Sequence, residues 1–162
     1  MVLGPCRSAI LAAVIVGVLS GCAGWSPGQQ SYWDARVREL CKKDGGVTVY
    51  EQVKITRREF DALGGLNGTV PVPIRAFAQP GTPYVAETKR FTIHEWAPEV
   101  LRRETSIIRV ADGKVLSRQI QYLRIGGDFP SPSHESSYSC ADVGVPLDVE
   151  RKTFLVTENA PQ

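Results

Sequence analysis

Both histidines of the chain stand directly before a glutamate: His94-Glu95 precedes Trp96, and His134-Glu135 lies in a serine-rich stretch. An imidazole beside a carboxylate can hold a metal or move a proton near neutral pH. The spacing does not complete such a site. A zinc-protease helix needs two histidines four residues apart with a glutamate between them, and here any third ligand would have to be a carboxylate. Asp128, His134 and one of Ser131, Ser133, Ser136, Ser137 or Ser139 supply the residue types of a hydrolytic triad within one segment. A nucleophilic serine normally sits on a strained turn of the Gly-x-Ser-x-Gly kind, which the sequence lacks. These residues read as locally hydrogen-bonded loop groups, so no catalytic and no metal-binding residue is assigned.

The glycine pairs Gly45-Gly46, Gly64-Gly65 and Gly126-Gly127 are not followed by the Lys-Ser/Thr ending of a phosphate loop, and they read as turns. Arg102, Arg103, Arg109, Arg118 and Arg124 fall on one predicted hairpin. They would form either a basic face for lipid headgroups or an acidic partner, or, the favoured reading, the solvated side of a sheet paired with neighbours such as Glu104. The segment Gly126 to Cys140 carries Phe129, His134 and Tyr138 and is the candidate recognition loop, since binding residues gather on loops held by a rigid scaffold. The alternative is a covering loop whose aromatics fill a gap beside a helix.

The N-terminus has the layout of an exported chain: Arg7 is its single charge, Ala9 to Leu19 is apolar, and Ser20 and Gly21 are small. The apolar run is shorter than the ~20 residues a membrane-spanning helix needs. Leu19-Ser20-Gly21-Cys22 resembles the lipobox of bacterial lipoproteins, in which an aliphatic residue, a small residue and Gly or Ala precede an obligatory Cys. That resemblance implies cleavage before Cys22, a diacylglyceryl group on its thiol and an acylated amino group, the only cofactor-like group expected. Two or three acyl chains hold a protein at a bilayer where one gives marginal binding. Ala23 stands where lipoproteins retained at the inner membrane tend to carry Asp, so the resemblance implies the outer membrane, with its periplasmic face favoured over the cell surface.

On that reading residues 1–21 are signal, 22–30 are the lipidated Cys and a tether rich in Gly, Pro and Gln, and 31–162 form one globular domain. Cys6 leaves with the signal and Cys22 carries lipid, so Cys41 and Cys140 remain. In an oxidising compartment they are expected to form a disulfide; free thiols serving a metal or redox site lack the close spacing such sites use. The full chain has 19 basic and 17 acidic residues and a formal charge of +2. That near balance, with no run of like charge, argues against a nucleic-acid partner.

The elements that must position these groups follow from periodicity. Trp33, Val37, Leu40 and Cys41 recur at helical spacing, predicting a helix from Tyr32 to Lys43, with Ser31 and Asp34 as a capping box and Gly45-Gly46 as its end. Val47 to Ile55 alternates as one strand with Glu51 out of phase. Thr56 and Glu59 predict a short capped helical turn, and the proline-rich stretch Leu66 to Pro83 an irregular excursion. Strands are expected over Tyr84–Ile93, Leu101–Val110 and Val115–Ile125, and a short one near Thr153–Val156. The last two long strands are joined at Asp112-Gly113, with Ile108 opposite Leu116 preferred over Val110 opposite Val115, so that Ile108, Leu116 and Ile120 share a face.

One helix followed by strands of this kind predicts an α+β domain, the N-terminal helix packed on a mainly antiparallel sheet; the alternative is a small β-barrel or sandwich with a helix lid. The functional expectation is a lipid-anchored binding or structural module with a protein or envelope-component partner. The alternatives are an envelope hydrolase or metal-binding enzyme using His94 or His134, and an inhibitor or exclusion lipoprotein.

Overall fold

The computed structural model describes residues 28–128 and 135–157. Its first helix, α1 (Gln29–Asp44), starts two residues inside the expected tether. Gly28 caps it without a side-chain bond, and Ser31 lies within the helix, so the expected Ser31/Asp34 capping box does not form. The Asp34 carboxylate is drawn instead to Arg124. Val37 and Cys41 are buried, with Trp33 and Leu40 packed against the same core. The helix ends as Gly45 donates its N–H to the Cys41 carbonyl and Gly46 takes a positive φ of 111°.

The single strand expected over Val47–Ile55 is two strands in different sheets. β1 (Gly46–Val49) runs antiparallel to β5 (Val115–Ile125), whereas β2 (Val53–Thr56) runs parallel to β7 (Phe154–Thr157). The break falls where the N–H groups of Tyr50 and Glu51 both donate to the Leu116 carbonyl, at 2.8 and 3.0 Å. Its physical reason is Glu51: an unpaired carboxylate cannot continue an apolar stripe, and here it turns out to Arg109 at 2.7 Å and Lys114 at 2.5 Å. The next element, α2 (Arg57–Ala62), has the predicted reciprocal cap between Thr56 and Glu59 and buries Phe60. Leu66 to Pro83 is irregular apart from a 3₁₀ turn at Arg75–Phe77.

β3 (Tyr84–His94), β4 (Glu99–Arg109) and β5 (Val115–Ile125) then form the antiparallel centre. β6 (Ser137–Ser139) pairs with the last residues of β5; α3 (Val149–Thr153) leads into β7 (Phe154–Thr157). The main sheet has the order β1-β5-β4-β3, with β6 extending the β1 edge along β5. Among the described residues it ends at β1 and β3 without closing, so the fold is α+β and the barrel alternative is not adopted. The body of the β4–β5 hairpin has the register that Ile108 opposite Leu116 would impose, with Ile107 opposite Ser117 and Arg103 opposite Gln121. At the loop end a bulge shifts Ile108 onto Val115. Leu116 joins Ile107 in one core and Ile120 packs on the other, so the expected common face is split.

The two cores lie against β5. Val37, Cys41, Val100, Tyr122 and Cys140 form one beneath α1. Ile55, Phe60, Val70, Ile107, Leu116, Val149 and Phe154 form the other, beneath the short helices and the β2–β7 ribbon. The Cys41–Cys140 disulfide is present and closes a sequence separation of 99 residues. A loop of that size removes up to about 4.7 kcal/mol of unfolded-state entropy in the chain-entropy model.

Candidate functional site

Three groupings bring together polar or aromatic side chains that the sequence keeps far apart. The first is a clasp centred on Arg124, whose side chain is only 2% exposed. Its Nε donates to Asp34 Oδ1 at 2.5 Å, its Nη1 to the carbonyl of Gly126, and its Nη2 to Ser136 Oγ at 3.0 Å. A buried guanidinium is tolerable only with such partners. Asp128 accepts from both the backbone N–H and the hydroxyl of Ser136, each at 2.6 Å. The hydroxyl and backbone N–H of Ser136 hold the Asp128 carboxyl below its ordinary range, with a smaller contribution from Arg124. The clasp thus fixes the start of α1 to β5 and to both stems of the Gly126–Cys140 segment.

Of the candidate recognition residues in that segment, Phe129 and His134 lie outside the described residues, as does the lipidation candidate Cys22. Tyr138 is described: it packs beside α1, and its hydroxyl accepts from Arg38 at 3.1 and 3.2 Å. Ser136 and Asp128 do meet, but by direct contact. A hydrolytic triad interposes an imidazole between nucleophile and carboxylate.

The second grouping surrounds His94. Its Nδ1 lies 3.0 Å from the carbonyl of Trp96 and 2.8 Å from that of Pro98, so this nitrogen is the protonated donor. Its ring packs at a 41° tilt against Trp33, with centroids 4.6 Å apart. His94 therefore ties the β3–β4 turn to the first turns of α1. Trp96, in that turn, is 80% exposed. Among the described residues no group of three His, Cys, Asp or Glu side chains is placed to hold a metal.

The third grouping is a groove on the sheet face opposite α1. Register puts Arg90, Arg103 and Gln121 in one row across β3, β4 and β5, and Thr88, Thr105 and Gln119 in the next. Strand periodicity points all six to the same side. They line a concavity of about 470 Å³, closed on its flanks by Ile74, Leu147, Val149 and Glu150. That volume is within the range of small-molecule sites. α3 is held there by a buried hydrogen bond between Ser117 and Thr153 at 2.6 Å.

The hairpin arginines therefore divide by environment. Arg102 and Arg118 both pair with Glu104, at 2.8 and 3.1 Å, the partner expected, but Glu104 is only 13% exposed and Arg102 23%, so this face is not the solvated one expected. Arg109 is held by Glu51 and Asp112. Arg124 is buried, which the sequence reading missed, and Arg103 faces the groove without an ion pair among the described residues. Gln119 and Gln121 were missed as well; their only signal was alternation with Ile120 and Tyr122.

Among the described residues no helix is long and apolar enough to cross a membrane. Comparison of the chain with protein-family models, with curated proteins and with solved structures yields no match.

Proposed function

We propose that this protein is a lipid-anchored module of the bacterial envelope, held through Cys22 at the outer membrane on its periplasmic side, and that it works by binding. The observation that carries the reading is the Cys41–Cys140 disulfide. Protein disulfides persist in oxidising compartments, and Leu19-Ser20-Gly21-Cys22 supplies the route there and the anchor. With α1 starting at Gln29, the six residues after Cys22 that precede it reach about 20 Å at most, at ~3.4 Å each. The start of α1, the β3–β4 turn and the stems of the Gly126–Cys140 segment thus lie toward the anchored end. The groove remains open on the other face of the sheet, and it is the surface we assign to the partner.

The test is mass spectrometry of the mature N-terminus after expression of the full chain in a double-membrane bacterium, with membrane fractionation. A lipid-modified Cys22 in the outer-membrane fraction, lost in Cys22→Ser, is the expected result. An unmodified Cys22, or a chain recovered with its first 21 residues, overturns the anchor. Binding is read separately by co-purification from gently solubilised membranes, where a stoichiometric companion retained by the wild type and lost on changing groove residues is expected.

A further inference from the structure

The second row of the groove differs chemically from the first, and together they define a ligand. Arg90 and Arg103 stand directly opposite each other on neighbouring strands. Like charges in that relationship repel and destabilise a sheet. Arg90 is partly compensated by Glu99 at 3.5 Å, a loose and half-exposed contact. Arg103 has no carboxylate partner among the described residues, although Arg102 beside it is paired at 2.8 Å. Two guanidiniums facing one concavity, one of them unpaired, are an anion-binding arrangement, since their planar forks match carboxylate and phosphate oxygens.

One row along the strands the demand reverses. Gln119 Oε1 is buried and has no hydrogen-bond partner. An orphaned buried acceptor costs free energy until a donor reaches it. Glu150 on the flanking helix adds a second acceptor to the same groove. Thr88 and Thr105, whose hydroxyls lie 3.3 Å apart, can either give or take a hydrogen bond. The rows are two residues apart, about 6.6 Å along the strand. The groove therefore fits a molecule with one anionic group and, roughly 6.6 Å away, hydroxyl donors. Ile74, Leu147 and Val149 offer apolar walls to its carbon skeleton.

We propose that the groove binds an anionic sugar, with its carboxylate or phosphate on Arg90 and Arg103 and its hydroxyls donated to Gln119 and Glu150. This inference rests on the reading of the protein as a binding module and names the ligand class for its open face. The carboxylate of a sugar acid and the phosphate of a sugar phosphate make the same demand on the arginine row.

The experiment uses the full chain, isotopically labelled and solubilised in uncharged detergent, titrated in separate arms with glucuronate, glucose 1-phosphate, glucose and inorganic phosphate while amide shifts are followed. Expected are saturable shifts at Thr88–Arg90, Arg103–Thr105 and Gln119–Gln121 with one or both anionic sugars, the better of the two identifying the anion. Arg103→Gln weakens that binding about tenfold or more. The same change relieves the like-charge pair, so its unfolding midpoint is at or above that of the wild type, which separates lost binding from lost fold. Gln119→Leu weakens the sugars but leaves inorganic phosphate unchanged.

Glucose binding as well as the anionic sugars, or inorganic phosphate equalling them, overturns the proposal. So does the absence of shifts in all four arms, or binding indifferent to Arg103→Gln. Cys22 lipidation is scored on the same preparation. A lipidated chain that binds none of the four overturns the ligand and leaves the anchor standing, and an unlipidated chain that binds does the reverse.

Discussion

Asp34 and Arg124, ninety residues apart in sequence, meet at 2.5 Å between α1 and the end of β5. The guanidinium is nearly sealed from water and the carboxylate side chain is 23% exposed. This pair, not a capping box, fixes how the first helix enters the domain, and the same arginine reaches the backbone and side chain of Ser136. The start of the helix and the two described stems of the Gly126–Cys140 segment are consequently tied together.

Replacing Asp34 by Ala leaves that guanidinium bonded to neutral acceptors, with the Asp128 carboxylate 4.0 Å away as its remaining counter-charge, and breaking a buried pair from one side costs about 3 kcal/mol. Because the carboxylate is partly exposed, the loss is expected toward the lower end of the measured range. Urea unfolding of Asp34→Ala, Arg124→Met and the double variant measures it. The double variant should be less destabilised than the two singles added together, and strict additivity would show that the contact contributes nothing specific.

The disulfide predicts a larger effect with a different signature. Cys41→Ser, Cys140→Ser and the double change should each lower stability by a similar amount, at most ~4.7 kcal/mol, because each removes the same loop constraint. Unfolding of the wild type in a thiol reductant should match the double variant. A single variant much worse than the double would mean that the surviving thiol, rather than the lost constraint, does the damage.

Most of the architecture was legible because its causes are local. Thr56 and Glu59 cap α2 as a pattern three residues long, and the strand from Val115 to Ile125 keeps its period throughout. The β4–β5 register followed from Asp112-Gly113, so Arg103 opposite Gln121 and Thr105 opposite Gln119 were within reach of the sequence. The placement of Arg90 and Thr88 was not. It depends on how β3 returns through Trp96 and Pro98, where the register shifts between Thr92 and His94, and one residue of slip exchanges the faces of a strand. Asp34 was ambiguous for another reason: three residues after a serine at a helix start, a carboxylate suits a cap and a distant arginine equally, and only tertiary packing decides.

At the other end of the sheet, Arg109 and the Lys114 backbone N–H hold the Asp112 carboxyl down to about 2. Lys114 and Arg109 likewise lower Glu51. A depressed carboxyl contributes stability that is present above its unfolded value and lost as pH falls through its folded one. For Asp112 that window runs from 3.8 down to about 2. Carboxyl carbon shifts followed by NMR should show Asp112 still ionised at the low edge of the ordinary carboxylate range, while Asp112→Asn removes that part of the acid dependence. An Asp112 midpoint at its ordinary value would mean that the Arg109 contact does not persist in solution.

Ser117 and Thr153 make the sharpest asymmetric prediction. Both are fully buried, and their hydroxyls lie 2.6 Å apart. Thr153 also donates to the Val149 carbonyl at 2.6 Å, so the proton between the two side chains comes from Ser117. Ser117→Ala removes that donor but leaves the Thr153 hydroxyl bonded to Val149, at a cost of about 1 kcal/mol. Thr153→Val keeps the shape and strips the acceptor, so the Ser117 hydroxyl is buried without a partner and the cost rises to about 2 kcal/mol. In the double variant neither hydroxyl remains, and the core should recover part of the loss that Thr153→Val alone produces. Thermal or urea unfolding of the three variants tests the order. If Ser117→Ala proves the more damaging single change, the hydrogen-bond direction assigned here is wrong, and α3 is held against the groove-bearing face by packing of Val149 rather than by this pair.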